Sequence, residues 1–147
     1  MTRFKVKRES KRTDRQIAID FADLWFSRYI RSRDSDDNGY AFCITCSSMH
    51  AVPDMDCGHF AGRGHMGTRY VETNAHAQCK KCNKYKGGEP AEHYLRIVEK
   101  YGKTEAESVL ARSRAPDFST AQTIREAGDY YKLKANQIAG AKGIKWW

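Results

Sequence analysis

The sequence predicts an α+β protein in which a small zinc-binding segment lies between helical ends. Three observations support this class: apolar residues recur at helical spacing near both ends, glycines and cysteines concentrate in the middle, and four of the five cysteines form two CxxC pairs. A chain of 147 residues suits one compact unit. We expect a basic arm with an amphipathic helix over residues 1–39, a zinc-knuckle core over 40–90 and a helical region over 91–147.

Positive charge is concentrated at the N-terminus. The chain carries a net charge of +8, and residues 1–15 hold seven bases against two acids. Such a run is either a solvated tail or an arm whose Lys and Arg displace counterions from nucleic acid. On the second interpretation, the DNA contacts of this arm are Lys5, Lys7, Arg8, Lys11 and Arg12.

The first helix follows directly after this arm. Apolar residues recur mostly at helical spacing through about residue 33, and Thr13 or Asp14 can cap the start of the helix. Residues 34–39 contain three Asp and end in Gly, so they predict a turn. A short strand over residues 40–43 is expected next, ending at the first cysteine.

Three further helices are predicted after the cysteine-rich segment. Pro90 is well placed to begin a helix, and Gly102 to end it. Thr104 predicts the start of a second helix through about residue 114, and Ser119 or Thr120 that of a third through about residue 139.

The strongest local signal is the pair of motifs Cys43-Ile44-Thr45-Cys46 and Cys79-Lys80-Lys81-Cys82. Each two-residue gap lets a turn present both sulfurs to one ion, so the four cysteines predict a tetrahedral structural zinc site. A thioredoxin-like redox pair is the competing interpretation, but it needs one CxxC and leaves the second unexplained. Cys57 is left over and is expected to be a small buried apolar residue.

The location of the chain bears on these cysteines. No apolar run approaches the ~18 residues that a membrane span needs, and the charged start lacks the apolar stretch of a secretory signal. We therefore expect a cytoplasmic protein without a membrane partner. Reducing cytosol disfavours disulfides, so it favours metal binding or redox chemistry for the cysteines.

Polar residues lie between and directly after the two CxxC pairs. They are found in Asp56-Cys57-Gly58-His59-Phe60, in Asn74-Ala75-His76-Ala77-Gln78 and at Asn83. This order resembles that of HNH nucleases, in which a hairpin delivers a histidine and a following helix delivers the last metal ligand. The resemblance implies a zinc-stabilised HNH-like ββα-metal core at about residues 40–90.

A closer resemblance covers most of the chain, from about residue 16 to about residue 133. The segments that carry it are Ile30-Arg31-Ser32-Arg33-Asp34, Cys43-Ile44-Thr45-Cys46, Gly58-His59-Phe60, Thr68-Arg69-Tyr70, Asn74-Ala75-His76-Ala77-Gln78-Cys79 and Cys82-Asn83-Lys84-Tyr85. They resemble the NinG/Rap recombination proteins of lambdoid phages. This resemblance implies a structure-specific endonuclease that cuts branched DNA, such as Holliday junctions and D-loops, inside the bacterial host. It leaves open a homodimer and partnership with phage or host recombination proteins.

The HNH resemblance also implies residue roles. His59 would be the general base, Asn74 would hold the hairpin and so aim His59, and Asn83 would bind Mg²⁺ or Mn²⁺. HNH proteins often have a metal ligand just before the base, where this chain has Gly58. Asp56 is therefore the first candidate for the second ligand, and His76 or His65 is the alternative.

Basic residues surround the predicted site and fit contacts to a phosphate backbone. They are Arg63, His65, Arg69, Lys80, Lys81, Lys84 and Lys86. A zinc-knuckle DNA-binding recombination mediator without catalysis would carry the same bases and cysteines, and His59, Asn74 and Asn83 discriminate between the two functions. Trp146 and Trp147 either cap the core or stack on an unpaired base or a partner.

Overall fold

The computed structural model describes residues 10–146, and it confirms a mixture of helices with small sheets. Five α-helices are present in this part of the chain: α1 (Asp14–Asp34), α2 (Met66–Arg69), α3 (Pro90–Tyr101), α4 (Lys103–Ser113) and α5 (Ala121–Lys142). Four strands form two antiparallel pairs: β1 (Tyr40–Phe42), β2 (Met49–Ala51), β3 (Asp56–His59) and β4 (Ala75–Gln78). Short 3₁₀ turns cover Val52–Asp54 and Glu72–Asn74, and a π-helical turn covers Lys81–Tyr85.

The predicted first helix is confirmed. The Thr13 side chain accepts a hydrogen bond from the backbone N–H of Gln16 at 3.1 Å, so Thr13 is its N-cap. The helix packs against α5, where Gly128 permits close approach because a Cβ at that position would lie 3.1 Å from the Cα of Ala22. These two long helices support one side of the molecule.

The two strand pairs position the polar residues of the middle segment. In the first pair, Tyr40 lies opposite Ala51. Its second strand, β2, was not predicted from the sequence. In the second pair, Asp56 lies opposite Gln78 and His59 opposite Ala75. All four residues of β4 are buried, because α1 covers this hairpin.

The C-terminal helices follow the predicted order with one error. Pro90 begins α3, but α4 begins at Lys103, so Thr104 is not its N-cap. Gly102, with a φ of +91°, ends α3 and also occupies the N-cap position of α4. Thr120 caps α5 as predicted.

Three buried clusters make up the core. One surrounds the cysteine pairs, another lies between α1, α5 and β4, and the last lies at the start of α1 and α5. Trp146 packs on the first cluster, which agrees with the core-capping interpretation, whereas Trp147 lies outside the described residues. Among residues 10–146, no helix is both long enough and apolar enough to cross a membrane.

Candidate functional site

The two CxxC pairs converge in the fold. One pair follows β1, and the other follows β4 and enters the π-helical turn. The four sulfur atoms all lie within 4.8 Å of one another, and Sγ of Cys46 is 3.8 Å from Sγ of Cys79. A tetrahedral zinc ion with ~2.3 Å bonds to sulfur places its ligands about 3.8 Å apart. The cluster therefore fits zinc, and the convergence of both pairs favours a metal over a redox pair.

The surroundings of Cys46 favour its thiolate, and a backbone hydrogen bond ties the cysteine cluster to the second hairpin. The Ser48 hydroxyl lies 3.0 Å from Sγ of Cys46. This contact, with hydrogen bonds from the Ser48 backbone and the neighbouring cysteines, lowers the pKa of Cys46 to about 6. Thiolate is the form that binds metal. The backbone N–H of Ile44 donates to the carbonyl of Ala77 in β4 at 3.0 Å. Metal binding would therefore stabilise β4 as well as the two turns.

A cavity of about 470 Å³ lies beside the second hairpin. Several residues that the sequence selected line this one space: Asp56, His59, Arg63, Asn83 and Lys84. The remaining polar lining comes from α1, through Asp23, Ser27 and Arg31. The fold thus brings together side chains from α1, β3, the loop after β3 and the π-helical turn.

The hydrogen bonding of His59 fixes its tautomer. Its Nε2 lies 2.9 Å from the carbonyl oxygen of Arg69, which can only accept a hydrogen bond. Nε2 therefore carries the proton, and Nδ1 keeps its lone pair. Among the described residues, Nδ1 has no hydrogen-bond partner. Burial lowers the pKa of His59, so the imidazole is neutral near pH 7.

Asn74 joins two backbone segments that follow this histidine in the chain. Its buried side chain accepts from the N–H of Ala61 at 2.7 Å and donates to the carbonyls of Ala61 and Thr68 at 3.0 Å each. Its own carbonyl accepts from the N–H of Phe60 at 2.9 Å. The segment that follows His59 and the segment that leads to the Arg69 carbonyl are therefore joined by one amide.

Asp56 and Asn83 form a pair at the cavity. Nδ2 of Asn83 donates to Oδ2 of Asp56 at 2.9 Å. In the described part of the chain, Oδ1 of each residue has no hydrogen-bond partner. The pair thus offers one carboxylate oxygen and one amide oxygen, which are the hard ligands that Mg²⁺ prefers. A Cβ on Gly58 would collide with the Gln78 side chain, so the fold leaves no room for a ligand at the position before His59.

The family described as Bacteriophage Lambda NinG protein matches residues 2–140. The chain belongs to the NinG family. NinG membership connects it with phage recombination. No curated protein and no solved structure matches the chain.

His76 of this NinG-family chain does not reach the cavity, so its predicted role as a catalytic-metal ligand is wrong. Its side chain is 1% exposed, and both ring nitrogens are engaged. Nδ1 lies 3.0 Å from Nε2 of His93, and Nε2 lies 3.0 Å from the Tyr101 hydroxyl. His65, the other alternative ligand, is exposed at the start of α2 and does not line the cavity.

Arg69 was predicted to contact DNA, but the NinG fold uses it internally. Its guanidinium makes two hydrogen bonds to the Asp23 carboxylate, at 2.8 and 2.6 Å, and its side chain is 15% exposed. Arg63 is 63% exposed and reaches the same carboxylate at 3.4 Å. Arg63 therefore remains available to phosphate, whereas Arg69 positions the carbonyl that holds His59.

The other predicted DNA contacts differ in their availability. Three lysines are exposed around the π-helical turn without a carboxylate partner in the described residues: Lys80, Lys81 and Lys84. Lys86 is also exposed but lies 3.2 Å from Glu89. In the N-terminal arm, Lys11 is exposed and Arg12 pairs with Asp20. Lys5, Lys7 and Arg8 lie outside the described residues.

Sequence reasoning missed the contribution of α1 to the NinG cavity. Asp23 accepts from Arg69 and from the Tyr70 hydroxyl, and these bonds lower the pKa of Asp23 against the opposing effect of burial. Arg31 donates to the carbonyls of Val52 and Met55 at 3.0 and 3.1 Å. No local motif marks Asp23, and Arg31 lies in a segment that carried the family resemblance without an assigned role. The signal available was the placement of charged residues beside the apolar face of an amphipathic helix.

Proposed function

We propose that this chain is a structure-specific endonuclease that hydrolyses phosphodiesters in branched recombination DNA, with a divalent metal ion and His59 as general base. The observation that carries this proposal is the single cavity lined by His59, Asp56 and Asn83. In this interpretation β3, β4 and the π-helical turn form an HNH-like ββα-metal core, and α1 supplies one wall of its site.

His59 has the properties of a general base. Nε2–H is bound by the Arg69 carbonyl, so Nδ1 is the atom that accepts the proton of the attacking water. The water oxygen attacks phosphorus, and the bond from phosphorus to the 3′ oxygen breaks. Because burial keeps the imidazole neutral, the base is in its active form near pH 7.

Oδ1 of Asp56 and Oδ1 of Asn83 would hold the divalent ion. Their mutual hydrogen bond orients both side chains, and Mg²⁺ sites commonly use one or two protein oxygens beside phosphate oxygens and water. Chemically, a divalent ion bound there supplies Lewis-acid polarisation of the phosphate and stabilisation of the departing oxygen. Arg63 and Lys84 line the same cavity and fit the phosphates on either side of the scissile bond.

Branched DNA is the proposed substrate because NinG membership connects the chain with recombination. The charge pattern agrees, since lysines around the π-helical turn give affinity that does not depend on base sequence. Recognition would then depend on the shape of the DNA.

The test is cleavage of labelled four-way junctions, D-loops and linear duplexes with Mg²⁺ or Mn²⁺. We expect cutting of the branched substrates, and a loss of about 10²- to 10⁴-fold in rate for His59→Ala. Phe118→Ala is the control, because Phe118 is exposed and lies outside the cavity. A wild-type rate for His59→Ala would refute the mechanism. Wild-type protein that cuts no branched substrate with either ion would be a non-catalytic recombination mediator instead.

A further inference from the structure

Tyr85 presents an aromatic ring to solvent at the end of the π-helical turn. Its side chain is 83% exposed, so it contributes little to the packing of the fold. A single exposed aromatic residue is common on protein surfaces. The surroundings of Tyr85 are unusual, however, because Asn83 and Lys84, two residues and one residue earlier, line the cavity of the proposed active site.

The charge around this ring is uniformly positive along the chain. Four lysines flank it in sequence, and all of them are exposed: Lys80, Lys81, Lys84 and Lys86. In the described residues, Lys86 alone among them has a carboxylate partner, Glu89 at 3.2 Å. The other three ammonium groups are therefore available to a polyanion. An open aromatic face among free cations matches the two components of a nucleic-acid strand, a flat base and its phosphates.

The turn that carries Tyr85 is held in place. The N–H of Asn83 donates to the carbonyl of Cys79 at 2.9 Å, and the N–H of Gly88 donates to the carbonyl of Cys82 at 2.9 Å. Both cysteines belong to the four-sulfur cluster. The backbone of Tyr85 is thereby placed at a defined position relative to Asn83, so the backbone needs little ordering when a ligand binds.

We propose that Tyr85 is a stacking platform for an unpaired DNA base beside the cavity. The ring and its lysines form a surface that takes a strand separated from its complement, and the neighbouring cavity receives the phosphate. Only an unpaired base offers a free face for this contact, so the platform favours branch points over continuous duplex. This inference rests on the proposed function only where it places the neighbouring phosphate in the cavity for cleavage. Stacking of a base on Tyr85 requires no cleavage.

The test is the affinity of the full-length, zinc-loaded protein for two fluorescent DNAs, measured by anisotropy without added Mg²⁺. One is a forked duplex with unpaired thymines at the branch, and the other is a fully paired duplex of equal length. We expect Tyr85→Ala to weaken binding of the fork about 5- to 150-fold, the range that corresponds to loss of one base stack, with little change for the paired duplex. Tyr85→Phe keeps the ring and should bind like wild type.

Phe118→Ala is the matched control. Phe118 is 86% exposed and lies on the loop between α4 and α5, which supplies no residue to the cavity. Equal losses of affinity for both DNAs would overturn the proposal. Binding of the fork by Tyr85→Ala with wild-type affinity would also overturn it, and this is the result expected if the ring contacts a protein partner instead. Unchanged zinc content and thermal unfolding would show that the variant is folded. The binding assay contains no added divalent ion, so it does not depend on cleavage. Failure to cut branched DNA in the separate assay with Mg²⁺ or Mn²⁺ would count against the nuclease proposal and leave this binding result unaffected.

Discussion

Acidification should destabilise this protein through its buried histidine pair. His76 and His93 are 1% and 0% exposed, and their rings are joined by a 3.0 Å contact. Burial, together with the positive charge of His93, Arg33 and Lys100, lowers the pKa of His76 to about 2. Burial lowers the pKa of His93 to about 4. The native state therefore keeps both rings neutral at pH values where unfolded chains bind protons.

The sign and size of the effect follow from these pKa values. An unfolded histidine titrates near pH 6.5, so below that pH the unfolded state binds more protons and the free energy of unfolding falls. Between pH 7 and pH 5 each histidine should remove about 2 kcal/mol, or about 4 kcal/mol for the pair. This loss is a large fraction of the ~5–15 kcal/mol typical of a folded domain.

Urea unfolding at pH 7 and pH 5, followed by circular dichroism, measures this difference. Acid also protonates thiolates and releases zinc, so the wild-type protein must be compared with a His76→Gln/His93→Gln variant and with His93→Gln alone. Both variants keep the zinc contribution to the pH dependence. The double variant loses the contribution of both histidines, and His93→Gln loses that of His93. The reasoning is refuted if wild type and the variants lose the same free energy between the two pH values.

Three other predictions concern the zinc, the arm and the metal-binding pair. Cys43→Ser or Cys79→Ser should abolish zinc binding and destabilise the fold, because the metal-binding energy is also folding energy; elemental analysis of folded wild type without zinc would contradict this. Removal of residues 1–12, which hold six bases and one acid, should weaken DNA binding and reduce its dependence on salt. An unchanged slope of log affinity against log salt concentration would show that the arm does not contact DNA. Asn83→Ala should lose cleavage activity and regain part of it with excess Mg²⁺ or Mn²⁺. If Asp56→Ala cleaves DNA like wild type, Asp56 is not a ligand of the catalytic metal.

Much of the helical structure could be predicted from the sequence because its signals are local. Thr13 and Thr120 cap α1 and α5 through hydrogen bonds to residues three positions ahead. The sequence predicts Thr104 as the N-cap of α4, but Gly102 occupies that position. The sequence does not show that one glycine both ends α3 and precedes α4. The convergence of the four cysteines was also foreseeable, since the two-residue gap within each pair limits where its sulfurs can point.

The candidate site was only partly predictable, because it depends on which side chains meet across the fold. His59, Asp56 and Asn83 were selected by their order in the chain, and the cavity brings them together. The contribution of α1 could not be foreseen, since Asp23 is separated from His59 by 36 positions and no local pattern links them.

The sequence by itself determined where most helices begin and end and which four cysteines form the cluster, because capping, periodicity and CxxC spacing act over a few residues. Only the tertiary structure decided which polar residues line the cavity. His76 and His59 are the same residue type on paired strands, yet packing against His93 and Tyr101 occupies both nitrogens of His76. Arg69 and Arg63 are likewise both basic, but burial against Asp23 holds the first and leaves the second exposed. Side-chain chemistry sets what each residue can do, and its neighbours in space set which of these roles it takes.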